Sequence, residues 1–107
     1  MAFPKTDYRL KLDVGLESIA VKLSLAEIKI LEVGIGGDER PSGSYKFFGQ
    51  GNEWTTLDKN RKWRPNIIAD ICNNFLPDNL FDMVIMVETL EHIWDFRKAL
   101  SEICRIT

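Results

Sequence analysis

Residues 30–37 read ILEVGIGG, and a second apolar run closes at Asp58, 22 residues after Gly36. IKILEV, residues 28–33, is a compact apolar run of strand length that ends at Gly34. Glycines at a strand end let the backbone turn and pass close to a ligand without Cβ contacts. A carboxylate at the end of the next strand can accept from two ribose hydroxyls at once. Together these features point to an open α/β sheet that holds a nucleoside-bearing cofactor. They say much less about the reaction.

Working outward, residues 1–11 read as an irregular arm. Leu12, Leu16, Ile19, Ala20 and Leu23 recur at helical spacing and predict an amphipathic helix over residues 14–25. From Gly36 to Gly51 the chain carries five glycines, Pro41 and two serines. That is loop chemistry, so the helix that usually follows such a turn is reduced here. EWTTLD, residues 53–58, suits a second strand, and NIIADI, residues 66–71, a third. FDMVIMV, residues 81–87, is apolar throughout apart from Asp82 and predicts a strand buried on both faces. A last helix starts at Asp95 as N-cap, with Phe96, Ala99, Leu100, Ile103 and Cys104 as its expected buried stripe. Short connections between strands and helices argue for a parallel α/β sheet in one domain, residues 1–107.

Composition bounds the function. A chain of 107 residues with 45% hydrophobic and 28% charged residues is globular and of ordinary domain size. Fourteen basic residues against sixteen acidic ones lack the positive excess of a nucleic-acid surface. The local cluster Lys59, Arg61, Lys62 and Arg64 around Trp63 reads as a solvated loop. Cys72 and Cys104 form no CxxC pair, so neither a zinc site nor a disulfide framework is expected, and no metal is assigned. No apolar run approaches the roughly 20 residues that span a bilayer, and the charged N-terminus is no secretory signal. The sequence reads as soluble and cytoplasmic.

Four segments in order, ILEVGIGG, TTLDK, ADICNNFLPDNLFD and VIMVETLEHI, resemble the first half of a class I S-adenosylmethionine-dependent methyltransferase of the type 11 kind. The resemblance runs from about Ile28 to Ile106 and implies a Rossmann-like fold with S-adenosylmethionine as cofactor. It implies that Glu32 holds the cofactor's methionine amino group, through water, and that Gly34 and Gly36 let the chain pass the methionine and ribose. Asp58 would accept from both ribose hydroxyls. Asp70 would accept from the adenine amino group while the Ile71 backbone N–H meets the ring, and Glu88 would line the methionine side.

Two departures accompany the resemblance. Asp38 stands where the family often has a third glycine, and a carboxylate there repels a pyrophosphate, which argues against a dinucleotide. The resemblance also implies seven strands in the order 3-2-1-4-5-7-6, whereas the chain carries four. The expected sheet is therefore 3-2-1-4, with the C-terminal strands missing and the fourth strand exposed at an edge. Such an edge is a template for pairing with a second copy or a partner chain. The expected function is the cofactor-binding half of a methyltransferase, working by SN2 transfer to an unidentified acceptor. The alternative is a non-catalytic module that pairs through its strand edge; a nicotinamide enzyme ranks third.

Each residue also has an ordinary use. Gly34 and Gly36 alone are turn glycines, and Asp58 and Asp70 alone are caps. Their joint spacing with Glu32 is what favours a cofactor. In ETLEHIWD, residues 88–95, Glu91 and His92 are the nearby groups able to move a proton. His92 is the named candidate for a base, although the LEH segment, frequent in relatives with different substrates, reads as scaffold. The aromatics Tyr45, Phe47, Phe48 and Trp54 are expected to pack in place of the reduced helix.

Overall fold

The structure, a computed structural model, describes residues 27–35, 45, 49, 51–87 and 89–107. The arm over residues 1–11, the expected helix over 14–25 and most of the glycine-rich loop lie outside the described residues. Four strands form one sheet: β1 (Lys29–Val33), β2 (Glu53–Asp58), β3 (Ile67–Ile68) and β4 (Met83–Ile85). They are parallel throughout, as the alternation of elements predicts, in the order β3-β2-β1-β4 that the resemblance implies. Among the described residues one α-helix, α1 (Phe96–Ile106), follows them.

β1 is central, and its four buried residues in succession are what a strand covered on both faces requires. Its register sets Val33 beside Leu57 and Glu32 beside both Thr56 and Ile85. Alternate residues serve opposite faces. Leu31 and Val33 join Leu57, Ile71, Phe81, Ala99 and Ile106 in the main core, on the α1 side. Ile30 packs with Ile85 on the other side, against Ile28, Trp54, Met83 and Val87. Trp54 meets Tyr45 edge to face at 5.5 Å, whereas Phe47 and Phe48 lie outside the described residues.

Three expected elements differ. The third strand shrinks from residues 66–71 to Ile67–Ile68 because polar side chains capture both of its ends. The Asn66 Oδ1 accepts from the Thr56 N–H at 2.9 Å, and Thr56 Oγ1 accepts from the Asn66 N–H at 2.8 Å. At the other end Asp70 Oδ1 accepts from the Cys72 N–H, 2.9 Å, and turns the chain. The fourth strand shortens from residues 81–87 to Met83–Ile85. Phe81 N–H donates to the Ile106 carbonyl, and Asp82 brackets the start of β1 by accepting from and donating to the Lys29 backbone.

The third difference is the rotation of α1. Asp95 caps it as expected, accepting from the Lys98 N–H at 3.1 Å. The buried face, however, is Ala99, Glu102 and Ile106, while Phe96, Leu100 and Cys104 are exposed. Ile103 is partly buried against the main core. Arg105 draws Glu102 inward and ties the helix to residues 74–79, which fixes the rotation. No helix among the described residues is long and apolar enough to cross a membrane.

Candidate functional site

The carboxyl ends of β1, β2 and β3 meet over a cleft of about 400 Å³. Its wall begins at Gly34, whose φ of +78° is a conformation that L side chains adopt at a cost. A Cβ at this position would collide with the Thr89 side chain. The Gly34 N–H donates to Leu57 O at 2.9 Å, so the turn stays in register with β2. Thr89 Oγ1 lies 3.2–3.4 Å from the carbonyls of Val33, Gly34 and Val87 and shares its single proton among them. Only glycine at position 34 leaves room for this latch.

Asp58 ends β2 with both carboxylate oxygens engaged. Oδ2 accepts from the Ile35 N–H at 3.0 Å and Oδ1 from the Asn60 N–H at 2.8 Å. One side chain thereby fixes the glycine turn and the loop after β2. Two ionised oxygens offer about four acceptor sites, so capacity remains for ligand hydroxyls. Its backbone carbonyl also accepts from the Ala69 N–H, 3.1 Å, which places Asp70 and Ile71 next along the wall. Ile71 anchors its side chain in the main core, while Asp70 is exposed at the rim.

The structure therefore brings Gly34, Asp58, Asp70, Ile71 and His92 to one cleft. Glu32 is buried in β1 but is not among the residues lining the cleft. Gly36 and Glu88 lie outside the described residues. His92 is exposed, its Nε2 3.8 Å from Glu91 Oε1, and its N–H closes a turn onto Thr89 O.

Thr89, Lys59, Cys72, Trp94 and Asp95 also line the cleft and were not singled out for it by sequence. Three carboxylates against one lysine give the lining a negative character that suits a cationic ligand and opposes a pyrophosphate. The Cys72 thiol donates to Asp95 O at 3.4 Å; burial first, then Asp70 and Asp95, push its pKa up. That shift opposes thiolate formation. No group of metal-ligating side chains occurs among the described residues.

A model of the family described as "Methyltransferase domain" matches residues 50–107, more than half of the chain. No curated protein matches it by sequence. Among solved structures, it is similar to a candidate S-adenosyl-L-methionine-dependent methyltransferase of Methanococcus maripaludis, at 15% identity and a TM-score of 0.63. That alignment covers 99% of this chain and 62% of the other. A SAM-dependent methyltransferase of Aquifex aeolicus aligns at 21% identity and a TM-score of 0.62, over 96% of this chain and 68% of the other. A third, from Thermotoga maritima, aligns at 24% identity and 0.57, over 92% and 50%. At these identities the likeness establishes the fold. The chain spans about three fifths of the length of the Methanococcus protein.

Proposed function

The chain belongs to the methyltransferase-domain family, and from that premise we propose that its cleft binds S-adenosylmethionine for methyl transfer. The observation that carries the reading is the convergence of Gly34, Asp58, Asp70 and Ile71 from three strand ends on one cleft. The residues suit the group. The Gly34 turn gives a bare backbone surface, Asp58 has acceptor capacity for a ribose diol, and the negative lining matches a sulfonium.

When bound, the cofactor supplies a methyl group already activated on sulfur, which passes to an acceptor lone pair while the C–S electron pair stays with sulfur. The chain's own part is placement and the exclusion of water. Asp58 holds the ribose, and Asp70 with the Ile71 N–H reads the adenine. Glu32, through water, with Gly36 and Glu88, is assigned the methionine end. His92 needs no role in such a transfer unless the acceptor must lose a proton.

A second reading rests on β4, which among the described residues stands at the sheet edge: a module that pairs through Met83–Ile85 with itself or a partner. Calorimetric titration of the 107-residue chain separates the two. Micromolar binding of S-adenosylmethionine and S-adenosylhomocysteine, with no heat from NAD, is expected. A folded chain that ignores both ligands and elutes as an oligomer would favour the pairing module instead.

A further inference from the structure

Arg105 sits in the last turn of α1 and does not line the cleft, yet its side chain spends all five of its N–H donors. Nε donates to Glu102 Oε2 at 2.7 Å, and one terminal nitrogen donates to Leu76 O at 2.6 Å and Asp78 Oδ1 at 2.8 Å. The other reaches Asn74 Oδ1 at 3.1 Å and Glu102 Oε1 at 3.4 Å. Its backbone takes part as well, since the Arg105 carbonyl accepts from the Asn79 N–H at 2.9 Å. An exposed ion pair contributes little. Here the fork also engages a backbone carbonyl 29 residues earlier in the chain and a buried asparagine 31 residues earlier.

The buried asparagine leads to the cleft. Asn74 Oδ1 also accepts from the Leu76 N–H, and its Nδ2 donates to the Ile71 carbonyl at 2.8 Å. Arg105 thus fixes the Asn74 amide, and that amide fixes the peptide unit that follows Ile71. Among the described residues none accepts from the Ile71 N–H.

We propose that Arg105 is a positioning residue for recognition of the adenine ring, acting through Asn74 to hold the Ile71 backbone in place. The proposal rests on the reading of the cleft as the adenosylmethionine site. A lysine cannot substitute, because a point ammonium with three donors does not reproduce the planar fork.

Discrimination between S-adenosylhomocysteine and S-inosylhomocysteine tests it, because the two differ only at the base edge that Asp70 and Ile71 would read. The wild type, Arg105→Lys and Asn74→Asp are titrated with both, and their melting is followed. The Asn74→Asp change keeps a partner for Arg105 but removes the donor to the Ile71 carbonyl. Expected is a wild-type preference for the adenosyl ligand that falls roughly ten-fold, the value of one hydrogen bond, in both variants while each still melts cooperatively. An unchanged preference in the folded variants overturns the proposal. So does failure of both variants to fold, which would make the network a stability element alone. A wild type that binds neither ligand overturns the cofactor reading itself.

Discussion

At the Gly34 side of the cleft, the wall is fixed by a left-handed glycine packed on Thr89, the Gly34–Leu57 backbone hydrogen bond and the Asp58 carboxylate, which accepts from two amides. At the Ile71 side the wall is fixed by side chains reaching across from α1, through Arg105 and Asn74. The first region depends on steric room and tolerates no added atom. The second depends on donor geometry, so a graded loss of ligand discrimination is expected as donors are removed. The difference teaches that one cleft can combine a brittle wall with a tunable one.

The largest expected effect breaks the brittle wall. Gly34→Ala forces a left-handed alanine against Thr89 and should cost about 3 kcal/mol in unfolding free energy, measured by urea titration. Adding Thr89→Gly should recover the steric share and leave the backbone share, about 1–2 kcal/mol. A double variant no better than Gly34→Ala would show that Thr89 is not what crowds the turn. Next is Asp58→Ala, which leaves the Ile35 and Asn60 amides without their acceptor. It should lower stability by about 2 kcal/mol and abolish cofactor binding in calorimetry.

The tunable wall should respond to pH. Arg105 holds the Glu102 carboxyl below its usual value of 4.5, chiefly through their hydrogen bond. A carboxylate with a depressed folded pKa contributes stability above its unfolded pKa and loses it as pH falls through the folded one. Melting of the wild type should therefore exceed that of Glu102→Gln at neutral pH, and the gap should close below pH 4.5. A gap independent of pH would remove the ion pair from the account. The smallest effect belongs to His92→Ala: about 0.5 kcal/mol or less in stability, with cofactor binding nearly intact. Loss equal to that of Asp58→Ala would assign His92 to the site.

These contrasts also explain what was legible in the sequence. β1 and β2 follow from runs rich in apolar, aromatic and β-branched residues, and the order 3-2-1-4 is the one the resemblance implies. β3 and β4 read too long because Asn66, Asp70 and Asp82 spend their side chains on the backbone, a local competition that apolar patterning does not register. The stripe of α1 is mis-phased because Glu102 reads as a solvated residue until Arg105 draws it inward. Gly34, Asp58, Asp70 and Ile71 could be named because the family resemblance carries their roles over to these positions, which lie at adjacent strand ends. Thr89 lies 55 residues from the carbonyl of Gly34 that it approaches, and Asn74 lies 31 from Arg105. Such contacts exist only once the sheet is assembled. The i,i+3 pairing of Glu102 with Arg105 was the one local signal of the second network.

The central claim is that the cleft between the Gly34 turn and the Ile71 segment holds the adenosine end of the cofactor. Amide chemical-shift mapping of the labelled chain during titration with S-adenosylhomocysteine tests it most directly. The account predicts that the amides of Gly34, Ile35, Lys59, Ile71 and Cys72 shift together along one saturating curve, with α1 beyond Ala99 little affected. Saturable shifts confined to other surfaces, or none from a folded chain, would contradict it.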